Sequence, residues 1–204
     1  MGKIEEKKDA LRKTVRRIAD TFGHQNIIEW SGEIAEKVFT LPEYKAAGTI
    51  FTFVGMDLEV DTRQIIQRAI ADGKRVTVPK TFGKGIMVPC EIRGLHDLVP
   101  GRYGILEPYE GCQEVLPGSG DLILVPCLAC DLEGMRIGHG AGYYDRFLAG
   151  SEATKAILCF DALVVESIPF TELDIRSDMV ITETRLARIG KGGVQDEALE
   201  SNRS

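Results

Sequence analysis

Residues 121–126 read DLILVP, with four apolar side chains in a row and no polar residue among them. A strand alternates its side chains between two faces, so a run that is apolar at every position needs cover on both. Helical segments elsewhere in the chain can provide that cover. EEKKDALRKTVRRIADTF places Leu11, Val15, Ile18 and Phe22 at helical spacing, and IIEWSGEIAEKVFT does the same with Ile27, Trp30, Ile34 and Val38 before Pro42 interrupts it. GTIFTFVG, KRVTVPK, GIMVPCEI, KAILCF and DMVITE read as further strands, with KRVTVPK and GIMVPCEI joined as a hairpin by TFGKG. Asp61 or Thr62 caps a helix over TRQIIQRAIAD, which Gly73 ends, and AGYYDRFLA forms another. Residues 93–120, rich in Gly and Pro, read mostly as loop.

Strands alternating with helices imply an α/β fold, a largely parallel sheet flanked by helices in three layers. The expected organisation is a single domain over residues 1–189, then a tail over 190–204 with little to bury, expected to be mobile. A net charge of −6 argues against general nucleic-acid or anionic-membrane binding. No apolar stretch resembles a signal peptide or a membrane span, so the expected compartment is the cytoplasm. Five cysteines, an odd number, then read as reduced thiols. Cys127 and Cys130 form a C-x-x-C, but zinc would want a second pair; a redox pair or small packing residues at a strand end are the readings left.

In open α/β sheets ligands gather where strands end. The loop after DLILVP holds Gly134, Gly138, Gly140 and Gly142, then Tyr143, Tyr144 and Asp145. Glycine lets backbone N–H groups approach an anion with no Cβ in the way, and a helix starting near Gly142 adds the positive end of its dipole. Arg136 supplies a full charge, and Asp145 in the first helical turn could hold Mg²⁺ against phosphate oxygens. A sharp turn before a helix, with a favourable acid at its start, explains the same residues without a ligand. The segment is neither a Walker A loop nor G-x-G-x-x-G. Lys8 and Arg12 share one face of the first helix, and Lys80 lies at the end of a strand; each is a candidate phosphate contact or a solvated cation.

In order along the chain, KKDALR, FVGMDLEVDT, VPK, YGILEP, VPCLACDLEGMRIGHGAGYYDRFL and IPFTELDIRSDMVITE resemble the 5-formyltetrahydrofolate cyclo-ligase family. The resemblance implies a NagB/RpiA/CoA-transferase-like sandwich and ATP-dependent conversion of 5-formyltetrahydrofolate into 5,10-methenyltetrahydrofolate. It implies ATP contacts from Lys8, Arg12 and the loop Arg136, Ile137, Gly138, His139, Gly140, Ala141, Gly142, Tyr143 and Tyr144. It implies Mg²⁺ ligation by Asp145 and Asp174, and folate contacts from Val54, Glu59 and the loop residues His139 to Tyr143. Tyr103 is a further candidate for the folate pocket, by stacking on a flat ring, or else covers core; Arg136 and Lys80 are the candidate catalytic cations. The implied partners are small molecules; the oligomeric state is open, a monomer included. The chain departs from the family pattern at Ala141, at Cys130 where Phe is usual, at Leu173 where His is frequent, and at a glutamine missing from FDALVVE. These departures keep two alternatives in view: a relative that binds ATP but acts on another carbonyl or amide, and a non-catalytic nucleotide- or folate-binding module.

Overall fold

The computed structural model describes residues 2–56, 58–83, 85–101, 104–190 and 193–198. Its centre is the run that opened the sequence: β6 (Leu122–Val125) is buried at all four positions. β6 pairs in parallel with β1 (Thr49–Phe51) on one side and β9 (Thr154–Leu158) on the other. β1 pairs in parallel with β2 (Arg75–Gly83), and β9 with β10 (Met179–Ile181). Antiparallel strands close both edges. β3 (Ile86–Ile92) returns along β2 as the expected hairpin, whose turn uses positive φ at Gly83 (80°) and Gly85 (76°). At the other edge β11 (Arg185–Gly190) and β12 (Gly193–Ala198) follow β10.

The strand order is therefore β12-β11-β10-β9-β6-β1-β2-β3, with five parallel strands in the middle. The sheet runs on past the boundary drawn at residue 189. Composition could not reveal β12, because an edge strand is held by backbone pairing rather than by side chains it buries. Residues 93–120 carry a small ribbon, β4 (Leu98–Pro100) against β5 (Leu106–Pro108).

Helix α1 (Lys3–Ala19) buries Lys8, Val15 and Ala19, with Leu11 partly covered. The expected apolar face is turned by about a residue: Ile18 is 38% exposed and Ala19 takes the inner position. That rotation carries Lys8 onto the buried stripe, since residues 8, 11, 15 and 19 follow helical spacing. Helix α2 (His24–Thr40) buries Ile34 and Val38 as expected, and Pro42 starts α3 (Pro42–Ala46). Phe22, Trp30 and Phe160 form an aromatic group, with Phe22 edge-on to Trp30 at 5.2 Å and Trp30 5.6 Å from Phe160. This group ties the α1–α2 corner to the segment that leaves β9.

Helix α4 (Arg63–Ala71) covers the sheet with Ile65, Ile66 and Ala69. Of the two cap candidates, Asp61 Oδ1 accepts the Arg63 N–H at 3.0 Å, while Thr62 occupies the N-cap position with no side-chain cap bond, its hydroxyl donating to the Phe53 carbonyl. The six-residue α5 (Tyr143–Leu148) follows the glycine segment. Among the described residues no helix is long and apolar enough to cross a membrane.

Candidate active site

The parallel strands all point their C-terminal ends toward one rim. The glycine segment begins there with a feature not foreseen from the sequence, a short hairpin of β7 (Ala129–Cys130) and β8 (Arg136–Ile137). Asp131 holds its turn. This carboxylate, 3% exposed, accepts N–H groups from Glu133 at 3.1 Å, Met135 at 2.9 Å and Ile168 at 2.9 Å. Three charge-assisted bonds make a buried acid tolerable and fix where β8 emerges.

Arg136 projects from β8. Its guanidinium donates to the Ile175 carbonyl at 2.9 Å and to Asp145 Oδ1 at 2.8 Å. The same Oδ1 accepts the Ile175 N–H at 3.2 Å, so the chain just after Asp174 is bonded to both members of the Arg136–Asp145 pair. Asp174 is held by Lys8, at 2.7 and 2.8 Å to its two oxygens, and by the Thr171 N–H at 2.6 Å. Burial pushes the Asp174 carboxyl up, but hydrogen bonds from Lys8 and Thr171 outweigh that and hold it below the ordinary carboxylate range.

Arg12 donates to the Gly138 carbonyl at 3.0 Å while Asp9 and Glu5 hold its other end at 2.6 and 2.9 Å. The left-handed positions of the loop are Gly140 (φ 95°) and Gly142 (φ 68°), on either side of Ala141. A Cβ at Gly140 would come within 3.3 Å of the Arg12 guanidinium, and one at Gly142 within 3.1 Å of Arg146. Bare backbone and cations are thus packed against one another, as an anion-binding loop requires. Ile137 is core, 1% exposed, and its carbonyl accepts the Leu128 N–H. Tyr143 packs partly against the core. Tyr144 lies 6.2 Å from the Phe51 ring, and its hydroxyl is buried without a hydrogen-bond partner among the described residues. Burial first, then the Glu59 charge, raises the Tyr144 phenol well above its usual range.

Beside the loop a cavity of about 450 Å³ is lined by Val54, Met56, Glu59, Leu128, His139 and Arg16, among others, a size suited to a small ligand. Glu59 Oε1 lies 3.4 Å from His139 Nε2, and its Oε2 accepts the Met56 N–H at 3.1 Å. Val54 and Glu59 therefore share one cavity with the loop's His139. Tyr103 lies outside the described residues.

Lys80 corrects an expectation: it sits within β2, opposite Val88, rather than at the strand's end, and its ammonium donates to the Tyr109 carbonyl at 2.8 Å. β2 is longer than the VPK motif suggests because it continues into the β3 hairpin. Two arginines were missed. Arg16 reaches His139 Nδ1 at 3.5 Å, and its signal was available, being one helical turn beyond Arg12. Arg146 donates to Gly85 O at 3.0 Å and Ala141 O at 2.5 Å, joining the β2–β3 hairpin to the loop. That contact depends on tertiary proximity alone and has no sequence signature. Asp145 and Asp174, paired here with Arg136 and Lys8, offer carboxylate oxygens of the hard kind that Mg²⁺ takes.

Residues 4–183 match the family model described as the 5-formyltetrahydrofolate cyclo-ligase family. The chain is 32% identical over 164 residues to the Escherichia coli K12 5-formyltetrahydrofolate cyclo-ligase, covering 78% of this chain and 90% of the relative. It is 29% identical over 200 residues to the probable 5-formyltetrahydrofolate cyclo-ligase of Caenorhabditis elegans, covering 90% and 96%. The solved structure of Aquifex aeolicus 5,10-methenyltetrahydrofolate synthetase superposes with a TM-score of 0.80 at 28% identity, covering 97% of this chain and 99% of that one.

Proposed function

The chain belongs to the 5-formyltetrahydrofolate cyclo-ligase family, and on that premise we propose that it converts 5-formyltetrahydrofolate and ATP into 5,10-methenyltetrahydrofolate, ADP and phosphate. One observation carries the reading. Two cation–carboxylate pairs, Lys8–Asp174 and Arg136–Asp145, stand together at the glycine loop, joined through the Ile175 amide to Asp145.

The chemistry explains why such a site needs charge more than a nucleophile. A formamide carbonyl is a weak electrophile because nitrogen donates into it. Its oxygen bonds to the γ-phosphorus as the bond to the ADP oxygen breaks, which makes that oxygen a leaving group. The neighbouring folate nitrogen then attacks the formyl carbon. The C–O bond breaks, phosphate departs with the electron pair, and the attacking nitrogen gives up its proton to the departing phosphate. Positioning and neutralisation of charge supply most of the catalysis in phosphoryl transfer.

Lys8, Arg12 and Arg136 would bind the phosphates, and the amides of the 138–142 loop would approach their oxygens where glycine leaves room. Asp145 and Asp174 would hold Mg²⁺, which neutralises phosphate charge and orients the oxygens for transfer. Glu59 would accept hydrogen bonds from the pterin N–H edge, with Val54 against the ring and His139 to Tyr143 bordering the formyl group. A cytoplasmic setting accords with five free cysteines.

The test is the rise of near-ultraviolet absorbance from the methenyl product when protein, Mg²⁺, ATP and 5-formyltetrahydrofolate are mixed. The rise should vanish when ATP or Mg²⁺ is withheld. A flat trace at high enzyme concentration, with ATP still binding by calorimetry, would overturn the folate assignment.

A further inference from the structure

Three thiols lie together beneath the hairpin that carries Arg136. Cys127 follows β6, Cys130 ends β7 and Cys159 follows β9. The parallel register sets Val125 opposite Ile157, so two residues further on Cys127 comes beside Cys159. The chain then turns into β7 and returns Cys130 to the same place. The three Sγ atoms all lie within 4.8 Å of one another, and the residues are 6%, 0% and 2% exposed.

We propose that Cys127, Cys130 and Cys159 form a binding site for one thiophilic, low-coordinate metal ion, Cu(I). The distances suit it: metal–sulfur bonds of about 2.3 Å in a trigonal arrangement need sulfurs about 4 Å apart, so the cluster closes by less than about 1 Å. The ligand set selects it. Soft thiolates favour Cu(I) or zinc, and a closed zinc site takes four ligands. Among the described residues no fourth His, Cys, Asp or Glu joins these three.

The surroundings help to offset thiolate charge. Hydrogen bonds from Cys130 and Cys159, then the charge of Arg136, the register partner of Cys130, hold the Cys127 thiol below its ordinary range against burial. The Cys127 thiolate and burial push Cys130 and Cys159 up, so the bound cation itself must balance the charge of those two. Loading exchanges S–H bonds for metal–sulfur bonds and releases the protons to solvent, with no electron transferred. The thiols of Cys127 and Cys159 now point at the carbonyls of Leu158, at 3.7 Å, and Phe160, at 3.5 Å, so no strong hydrogen bond is lost.

The test uses the full chain, reduced and metal-free, titrated anaerobically with Cu(I) buffered by bicinchoninate, with Zn(II) in parallel. A Cys90→Ala/Cys112→Ala variant removes the other two thiols. One Cu(I) per chain is expected in the double variant, with an X-ray absorption shell of three sulfurs. Single changes Cys127→Ala, Cys130→Ala and Cys159→Ala should each weaken binding by at least about 100-fold. The sulfur count on the Cys90→Ala/Cys112→Ala protein, which keeps all three cluster thiols, decides the matter even if a buried variant fails to fold. Absence of copper from the double variant, a shell with fewer than three sulfurs, or tighter four-coordinate zinc would overturn the proposal.

Discussion

Lys8 and Asp174, 166 positions apart in the chain, meet through both carboxylate oxygens at 2.7 and 2.8 Å. The pair fastens the first helix to the loop before β10, and it sets the ammonium where we propose a phosphate binds. Lys8→Met keeps the apolar stem and removes the charge, leaving Asp174 unpaired at 14% side-chain exposure. The expected cost is about 1–3 kcal/mol, below the range for fully buried pairs because the carboxylate still reaches water. Thermal melting should fall by several degrees, and the KM for ATP should rise at least about tenfold.

Acid stability follows from the same pair. Asp174 is held below its unfolded value, so its contribution is present above about pH 4 and is lost as pH falls through the lower folded value. Glu43, bonded to Arg188, is shifted in the same direction. Without Lys8 the Asp174 carboxyl moves up. Melting temperatures measured from pH 3 to 7 should show the gap between the parent and Lys8→Met closing as pH falls, because acid removes from the parent a contribution the variant already lacks.

Arg136→Lys tests geometry at constant charge. One ammonium cannot span both the Ile175 carbonyl and Asp145 as the planar guanidinium does. We expect kcat/KM to drop by about 100-fold, on the order of 3 kcal/mol of transition-state stabilisation, with little change in folate affinity. Equal activity in the two proteins would remove Arg136 from the proposed mechanism.

Glu59→Gln separates the two substrates. The carboxylate sits in the cavity beside His139, away from the Lys8–Asp174 pair. The KM for formyl-folate should rise at least about tenfold while ATP affinity, by calorimetry, stays within about twofold. A matched loss for both substrates would contradict the assignment.

Gly134→Ala probes the turn that presents Arg136. The position has φ 86°, and an added Cβ would stand 2.5 Å from the Ser177 carbonyl oxygen. Backbone strain and the clash together should cost about 2–4 kcal/mol, read as a fall in melting temperature of roughly 5–15 °C.

Much of this architecture was legible in the chain. DLILVP announced a strand covered on both faces, and β6 is central with its four apolar residues buried. The ordered motifs pointed to the family. The glycine positions of the loop were readable because a left-handed backbone demands that residue, as Gly140 and Gly142 bear out. What escaped depends on partners distant in sequence. Lys8 reads from the sequence as either a phosphate contact or a solvated cation, and its burial does not show, because nothing local tells a lysine on a buried stripe from one on a solvated face. The β7–β8 hairpin pairs two residues on each strand and is organised by Asp131, which accepts two N–H groups from the hairpin's own turn and a third from Ile168, far along the chain. β12 carries no apolar stripe, and Arg146 acts through two carbonyls 56 positions apart, Gly85 and Ala141.

The aromatic group at the α1–α2 corner has a practical consequence. Trp30 is the single tryptophan of the chain, and its ring touches both Phe22, just past α1, and Phe160, just past β9. Its fluorescence is therefore a native optical gauge of how firmly the helix bearing Lys8 and Arg12 is seated on the sheet. A nucleotide that draws those two side chains inward should alter the emission without any dye or label.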